Sequence, residues 1–329
     1  MLQLINGLKH YLRQTIELRR EYRNDYREYK RWNYNNPGVH SKNSFEAKIL
    51  RQAHILEKGM ALSRPRERFG VDKANSLIDF IEQYEAFGYE IDKSAAVLNA
   101  IGVLNAYLAF HRERGYRPEG LLHRFERLQQ YLPALSGSYR SQTVTLDELQ
   151  TKLRGTFPDF FLSRHSVRQF SAQKITGPEI RQADKLAMGA PSACNRQPCK
   201  VYFYPEAETN RRIGNLIAGN SGFNPETTNY LVITSDLSAF YNAFERNQVY
   251  VDGGIFTMAL VEALHYCGIA SCILQNGESR KKNAEFKKIC GNIPDNEKII
   301  LFIAVGHYPD TVTFAASRRK FPDDVFIVG

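Results

Sequence analysis

The first thirty-odd residues alternate apolar and charged positions at helical spacing. Leu4, Leu8, Tyr11, Thr15, Leu18, Tyr22, Tyr26 and Tyr29 fall three or four apart, which makes a narrow stripe on a helix whose other faces carry Arg13, Arg19, Arg20, Arg23, Arg27, Lys30 and Arg31. The pattern predicts a basic helix that packs its stripe on another helix and ends at Asn35-Asn36-Pro37-Gly38. Apolar periodicity returns over residues 49–62, 77–87, 95–110 and, more briefly, 121–132, so residues 1–140 read as an all-helical extension. Ser136-Gly137-Ser138 interrupts the pattern as a linker.

Beyond the linker the pattern mixes periods. Thr145 and Glu148 have the spacing of a capping box and predict a short helix through Leu153. Gly177-Pro178-Glu179 opens another helix, bounded by Pro191, and residues 211–218 form a third. Alternating or continuous β-branched and aromatic runs at 201–204, 230–234 and 298–305 predict strands. Residues 250–266 are apolar on almost every face, with Val251, Ile255, Phe256, Met258, Leu260, Val261 and Leu264. Such a helix needs cover on both sides, which a subunit interface would supply, and Gly253 and Gly254 would admit a close helix contact. Together these elements predict an α+β domain over residues 156–329, a mostly antiparallel sheet flanked by helices.

Composition narrows the class. With 329 residues, 43% hydrophobic and 24% charged, the chain has the make-up of a soluble globular protein. No apolar run reaches the ~18 residues of a membrane span, and the amino terminus turns polar too soon for a signal peptide, so a cytoplasmic location is the default. The net charge of +9 is uneven: of 44 Lys/Arg and 35 Asp/Glu, residues 1–70 hold 15 and 7, leaving 29 and 28 for the rest. The basicity belongs to the extension. A contact of its first helix with nucleic acid or an anionic membrane ranks below simple packing, because no nucleic-acid module's spacing of aromatic and basic residues accompanies it. The arginine-dense turn at 57–70 could meet an anionic substrate group, although a loop with its charges in water is commoner. Five cysteines argue against a disulfide framework. Cys194/Cys199 and Cys267/Cys272 read as reduced structural thiols rather than as halves of a metal site.

The chemistry concentrates in two short segments. Arg164-His165-Ser166-Val167-Arg168 sets two cations, an imidazole and a hydroxyl within five residues, a compact grip for an anion. Ala190-Pro191-Ser192-Ala193-Cys194-Asn195-Arg196-Gln197-Pro198 is a loop of small residues that lets a flat ring approach the backbone. Both segments resemble the flavin-binding signatures of the nitroreductase family. So do Ala218-Gly219-Asn220-Ser221-Gly222-Phe223-Asn224, Gln248-Val249-Tyr250, Gly268-Ile269 leading to Gln275-Asn276, Ala284-Glu285-Phe286 and Val305-Gly306-His307, which recur in the family's order from about residue 156 onward.

The resemblance implies an FMN-dependent reductase. By similarity, Arg164, His165, Ser166 and Arg168 hold the phosphate and ribityl chain, and Arg318 and Arg319 in a basic tail close over the phosphate, with the match there slipped by a residue. Asn224 pairs with the pyrimidine edge. Backbone N–H groups at Gln275 and Asn276 face flavin N5, where the family typically has a Glu-Gly pair. Pro191, Ser192 and Ala193 come from the partner of a homodimer, while Asn195 is as suited to holding that loop as to touching cofactor. Thr227 stands where some relatives have lysine. The resemblance also implies NAD(P)H as a transient donor and a nitroaromatic, quinone-like or other small organic acceptor. No Gly-x-Gly-x-x-Gly follows a predicted strand, which argues against a separate dinucleotide domain, and no catalytic triad or metal-ligand cluster stands out. His307, after a glycine at a strand end, reads as structural. A specialised biosynthetic flavin dehydrogenase and a basic-arm scaffold that keeps a flavin fold are the competing readings.

Overall fold

The computed structural model describes residues 2–32, 36–135, 139–240 and 242–329. The expected linker at Ser136-Gly137-Ser138 and Asn35 of the first turn lie outside the described residues, as do the side chains of Leu4 and Tyr29. In chain order the elements are α1 (Leu2–Trp32), α2 (Lys42–Met60), α3 (Val71–Ala86), α4 (Ala95–Arg112), α5 (Glu119–Phe125), β1 (Gln142–Thr145), α6 (Leu146–Leu153), α7 (Phe157–Ser163), α8 (Gly177–Ala187), β2 (Cys199–Phe203), α9 (Ala207–Leu216), β3 (Asn229–Asp236), α10 (Gln248–Tyr266), β4 (Ile269–Gln275), α11 (Arg280–Cys290), β5 (Glu297–His307) and β6 (Thr311–Phe314). β1 and β6 form a two-stranded sheet. The chain divides into two compact units, Met1–Asp25 with Val144–Val312, and Tyr26–Thr143 with Thr313–Gly329. A single cut near residues 140–156 therefore differs from the observed division at both ends of the chain.

Salt bridges explain both differences. Arg246, two residues before α10, binds Asp25 with Nη2 2.5 Å and Nε 2.7 Å from its carboxylate, and this contact holds Asp25 below the usual carboxylate range. In the other unit the buried carboxylate of Glu46 accepts from Lys320 at 2.6 Å and from Ser94 at 2.7 Å. Glu57 accepts from the Ser317 N–H at 3.3 Å.

The helical unit buries Ile49 and Leu56 of α2, Leu77, Ile78 and Ile81 of α3, and Ile101, Leu104 and Tyr107 of α4 in one cluster. Ser41 caps α2 and Ser94 caps α4, each hydroxyl accepting from a backbone N–H three residues on. The helix expected over 121–132 is α5 followed by a 3-10 stretch, Glu126–Ala134, that contains Pro133. Proline lacks the N–H of a continuing α-ladder. Arg64, Arg66 and Arg68 in the basic turn are exposed.

The sheet unit is α+β, as the pattern predicts. Its four strands run in the order β2-β3-β5-β4, all pairs antiparallel. β5, in the interior, pairs Ile303 with Leu231 on one side and with Ile273 on the other. Alternation along β5 sends Ile303 and Val305 toward α8 and α10, while Phe302 meets Phe286 of α11 at 4.6 Å between ring centroids. Capping boxes start α6, α7 and α8, including the predicted pair Thr145 and Glu148. Gly253 does admit a close contact, but with the sheet: a Cβ there would stand 2.9 Å from Ile300 of β5, and one on Gly254 would meet nothing within 4 Å.

Two apolar faces stay open. On α1, Leu8, Tyr11, Leu18, Tyr22 and Tyr26 are exposed, so among the described residues the stripe does not pack on another helix as expected. On α10, Val251, Ile255 and Met258 are exposed at 50, 39 and 39%. This is the part of the helix for which cover by a subunit interface is expected.

Candidate functional site

The anion-grip segment leaves α7 at Arg164 and runs onto the sheet. Ser166 bridges Ser271 of β4 in parallel, and the Val167 N–H donates to the Ser271 carbonyl at 2.9 Å. Four residues on, the Ser171 N–H donates to the His307 carbonyl at 3.0 Å. Phe170 lies over Gly306 so closely that a Cβ there would fall 2.4 Å from its ring. This packing explains the glycine of the Val-Gly-His run and fixes the grip against β4 and β5. β4 leads into Gln275, which is exposed, and Asn276, half-buried. The structure thus places Arg164, His165, Ser166 and Arg168 beside the strand that carries Gln275 and Asn276.

The two cations differ in their surroundings. Arg164 is ion-paired with Glu262 of α10, Nε to Oε1 3.2 Å, with no hydrogen bond aligned between them. Burial holds Glu262 above the usual carboxylate range, and Arg164 only partly offsets it. Arg168 is 8% exposed. Its Nη1 donates to the Ser166 carbonyl at 3.2 Å, its Nε has no hydrogen-bond partner among the described residues, and no carboxylate among them pairs with it. A buried guanidinium without a counter-charge is costly. A phosphate beside it would supply both the charge and the acceptor, so the residues present fit the ester end of FMN. The His165 and Ser166 side chains are half-buried next to it.

Beneath the grip lies a buried polar chain that the pattern did not single out. His265 of α10 is fully buried, with Nε2 2.9 Å from the Ser163 hydroxyl and Nδ1 2.7 Å from the Tyr308 hydroxyl. Burial, reinforced by the charges of Arg164 and His165, lowers its pKa to about 4. His265 is therefore neutral at pH 7. His307 Nε2 lies 3.2 Å from Glu179 Oε1, and Glu179 also caps α8 through Thr176.

The second segment is built separately. Cys194, Asn195 and Gln197 all take positive φ, 51, 55 and 49°, a strained run for side chains with a Cβ. The strain is held from three sides. The Ser192 hydroxyl accepts from the Gln197 N–H at 2.9 Å. The fully buried Asp252 carboxylate of α10 accepts from the Ala193 N–H at 3.2 and 3.3 Å and from Gln248 at 2.8 Å. Arg196 makes a bidentate pair with Glu245, both bonds 2.9 Å. Pro191 is exposed, Ser192 and Ala193 half-buried, and Asn195 exposed. Asn195 accepts from Gln197 through Oδ1 at 3.1 Å, so it serves the loop. A cavity of about 390 Å³ opens here between α8, β2 and α10, lined by Asp184, Pro191, Ser192, Tyr202, Asp252 and Phe256 among others. Burial pushes the Asp184 carboxyl up. The Cys199 thiol beside it is pushed up to about 11, again by burial.

The remaining expected residues scatter. Asn224 is exposed, and its Oδ1 accepts from the Glu226 N–H at 3.0 Å in a local turn. Asn276 turns its amide toward Asn283 at 2.8 Å and the Ile299 carbonyl at 3.0 Å, which fixes the backbone after β4. Arg318 and Arg319 belong to the helical unit. There Arg318 covers the Tyr139 ring at 4.5 Å, and the Arg319 carbonyl accepts from Asn99 at 3.2 Å. Asp252, Glu262 and His265 were the residues missed. Their signal was available: three ionisable side chains stand in a helix that is otherwise apolar. All five cysteines are free, and among the described residues no group of three or more His, Cys, Asp or Glu could hold a metal ion.

Residues 162–236 match the sequence model of the Nitroreductase family, a match that contains both the grip and the strained loop. No curated protein sequence matches the chain. Among solved structures, the nitroreductase family protein from Streptococcus pneumoniae TIGR4 is similar at 22% identity, covering 53% of this chain and 100% of its own, with a TM-score of 0.44. A protein described as an NAD(P)H:FMN oxidoreductase from Staphylococcus epidermidis ATCC 12228 shares 20% identity over 53% of this chain and 96% of its own, TM-score 0.46. The nitroreductase family protein from Clostridium novyi NT shares 20% over 47% and 87%, TM-score 0.41.

Proposed function

We propose that the chain is an FMN-dependent oxidoreductase of nitroreductase type that works as a homodimer. The observation that carries the reading is Arg168, a buried guanidinium without a carboxylate among the described residues, in a segment whose sequence matches the family. FMN, when bound, would supply two-electron redox chemistry between NAD(P)H and a nitroaromatic, quinone-like or other small organic acceptor.

The chain's own residues bind and orient. Arg168 compensates the phosphate, with Arg164, His165 and Ser166 around it. Backbone N–H groups at Gln275 and Asn276 are the donors for the ring's N5 edge, held in place by the Asn276 amide on Ile299. The loop at Pro191, Ser192 and Ala193 packs on the flavin of the partner, set rigidly by Asp252 and by Glu245 through Arg196. Asn224 keeps its amide nitrogen for the pyrimidine edge. The open face of α10 at Val251, Ile255 and Met258 is the surface the second copy covers. Orientation and water exclusion are then the protein's main contributions to rate.

The test is the visible absorption spectrum of the purified protein before and after each nicotinamide is added. Yellow protein that releases FMN on denaturation and bleaches with NADH or NADPH supports the reading. Colourless protein that FMN does not reconstitute ends it.

A further inference from the structure

The helical unit contains a cavity of about 410 Å³ that flavin chemistry leaves without a role. Its size lies within the roughly 300–1,000 Å³ of small-molecule sites. Two helix faces form its walls. On α2, Phe45, Lys48 and Arg51 stand three residues apart; Phe80 and Gln83 of α3 and Phe87, which caps its end, stand three and four apart. Each spacing gathers its side chains on one face, and all six line the cavity. His40 closes one end, its ring stacked on Phe87 at 4.3 Å and 17°. Phe45 and Phe87 lie 5.1 Å apart, and Lys48 Nζ sits 5.3 Å from the Phe45 centroid.

Charge makes this cavity unusual within its unit. Three of the four acidic side chains of α3 are engaged elsewhere: Asp79 and Glu82 bind Arg124, at 2.7 and 3.0 Å, and Glu85 binds Arg127 at 2.6 Å, while Asp72 stands in the first turn and does not line the cavity. Glu46 of α2 binds Lys320. Among the described residues no carboxylate lines the cavity, and neither Lys48 nor Arg51 has an ion-pair partner. An aromatic wall beside two uncompensated cations has a definite complement. We propose that the cavity binds a small flat aromatic ring bearing an anionic group, with the ring against the partly buried Phe80 and the exposed Phe87, over the buried Phe45, and the anion at Lys48 and Arg51. Aromatic rings in offset or edge contact attract beyond simple area burial, so the ring contributes as well as the charge. The proposal is independent of the flavin reading.

Calorimetric titration of the full chain with 2-naphthoate tests it, with neutral 2-naphthamide as the isostere lacking charge. Saturable naphthoate binding is expected, weakened about tenfold in K48Q/R51Q, since two partly exposed ion pairs together are worth up to ~1–2 kcal/mol. Naphthamide should bind wild type no better than naphthoate binds the double variant. Phe87→Leu should weaken naphthoate several-fold with the circular dichroism spectrum unchanged. Recording the flavin absorption band in the same titration separates any stacking on the cofactor from this site. Naphthoate binding that is unchanged in K48Q/R51Q, equal affinity for the amide, or no heat at millimolar ligand overturns the proposal.

Discussion

Helices α4 and α10 read alike in sequence and are used differently. Each is long, apolar on nearly every face and nearly free of charge. Within its own unit α4 is enclosed: Val97, Ile101, Leu104 and Tyr107 are fully buried or nearly so, among α2, α3 and the 3-10 segment. α10 packs Leu260, Val261 and Leu264 on the sheet but leaves Val251, Ile255 and Met258 open. It also carries Asp252, Glu262 and His265, which hold the strained loop and the grip. Apolar character alone therefore does not tell a scaffold helix from a working one. The carboxylates do: α4 has a buried His111 but no Asp or Glu, whereas α10 has Asp252 and Glu262, and a buried charge is retained only where a partner or a task compensates it.

The largest contrast should appear in stability. Ile101→Ala opens a cavity in a core with no room to collapse and should cost about 2–5 kcal/mol, measured by urea denaturation. V251E/I255E on the open face of α10 should instead act on association: wild type should weigh twice the 37.7 kDa chain in sedimentation, and the double variant once. A wild type that sediments as a single chain at micromolar concentration would break the comparison, since the open face would then need no cover.

A smaller effect belongs to pH. His265 titrates near 6.5 when unfolded and near 4 when folded, so between those values the unfolded chain binds more protons. Stability must rise with pH across that window and fall on acidification through it, by up to about 3 kcal/mol. His265→Gln should flatten the part of the profile between pH 4 and 6.5, leaving the carboxylate titrations below it; identical profiles would show that the His265 environment is not the one described. The smallest expected loss is local. Asp252→Ala removes the acceptor for the Ala193 N–H and should cost about 1–3 kcal/mol, with amide exchange quickened in residues 190–198 and unchanged in α4. Uniform quickening would place Asp252 in the general core instead.

Much of this was legible because it rests on period and local chemistry. The Thr145 and Glu148 cap, the apolar run of α10 and the strands at 201–204, 230–234 and 298–305 follow from neighbours in sequence. So does the spacing of Arg164, His165, Ser166 and Arg168, which share one extended segment. What was not legible depends on distant partners. Nothing local announces positive φ at Cys194, Asn195 and Gln197, because the conformation is imposed by Ser192, Asp252 and Glu245. The grouping of Asp25 with α10, and of Arg318 and Arg319 with the helical unit, rests on single ion pairs and hydrogen bonds. The stripe on α1 shows the limit of periodicity, since it identifies a face without saying what covers it.

The account turns on Arg168 as the seat of a phosphate, and the most direct test compares FMN with riboflavin, which lacks the phosphate, in wild type and Arg168→Gln. Fluorescence quenching should show FMN bound at least about a hundredfold more tightly than riboflavin by wild type, as expected for a buried charge-assisted contact worth ~3 kcal/mol, with most of that preference lost in the variant. Equal affinities for the two flavins, or a preference that survives the substitution, would contradict it.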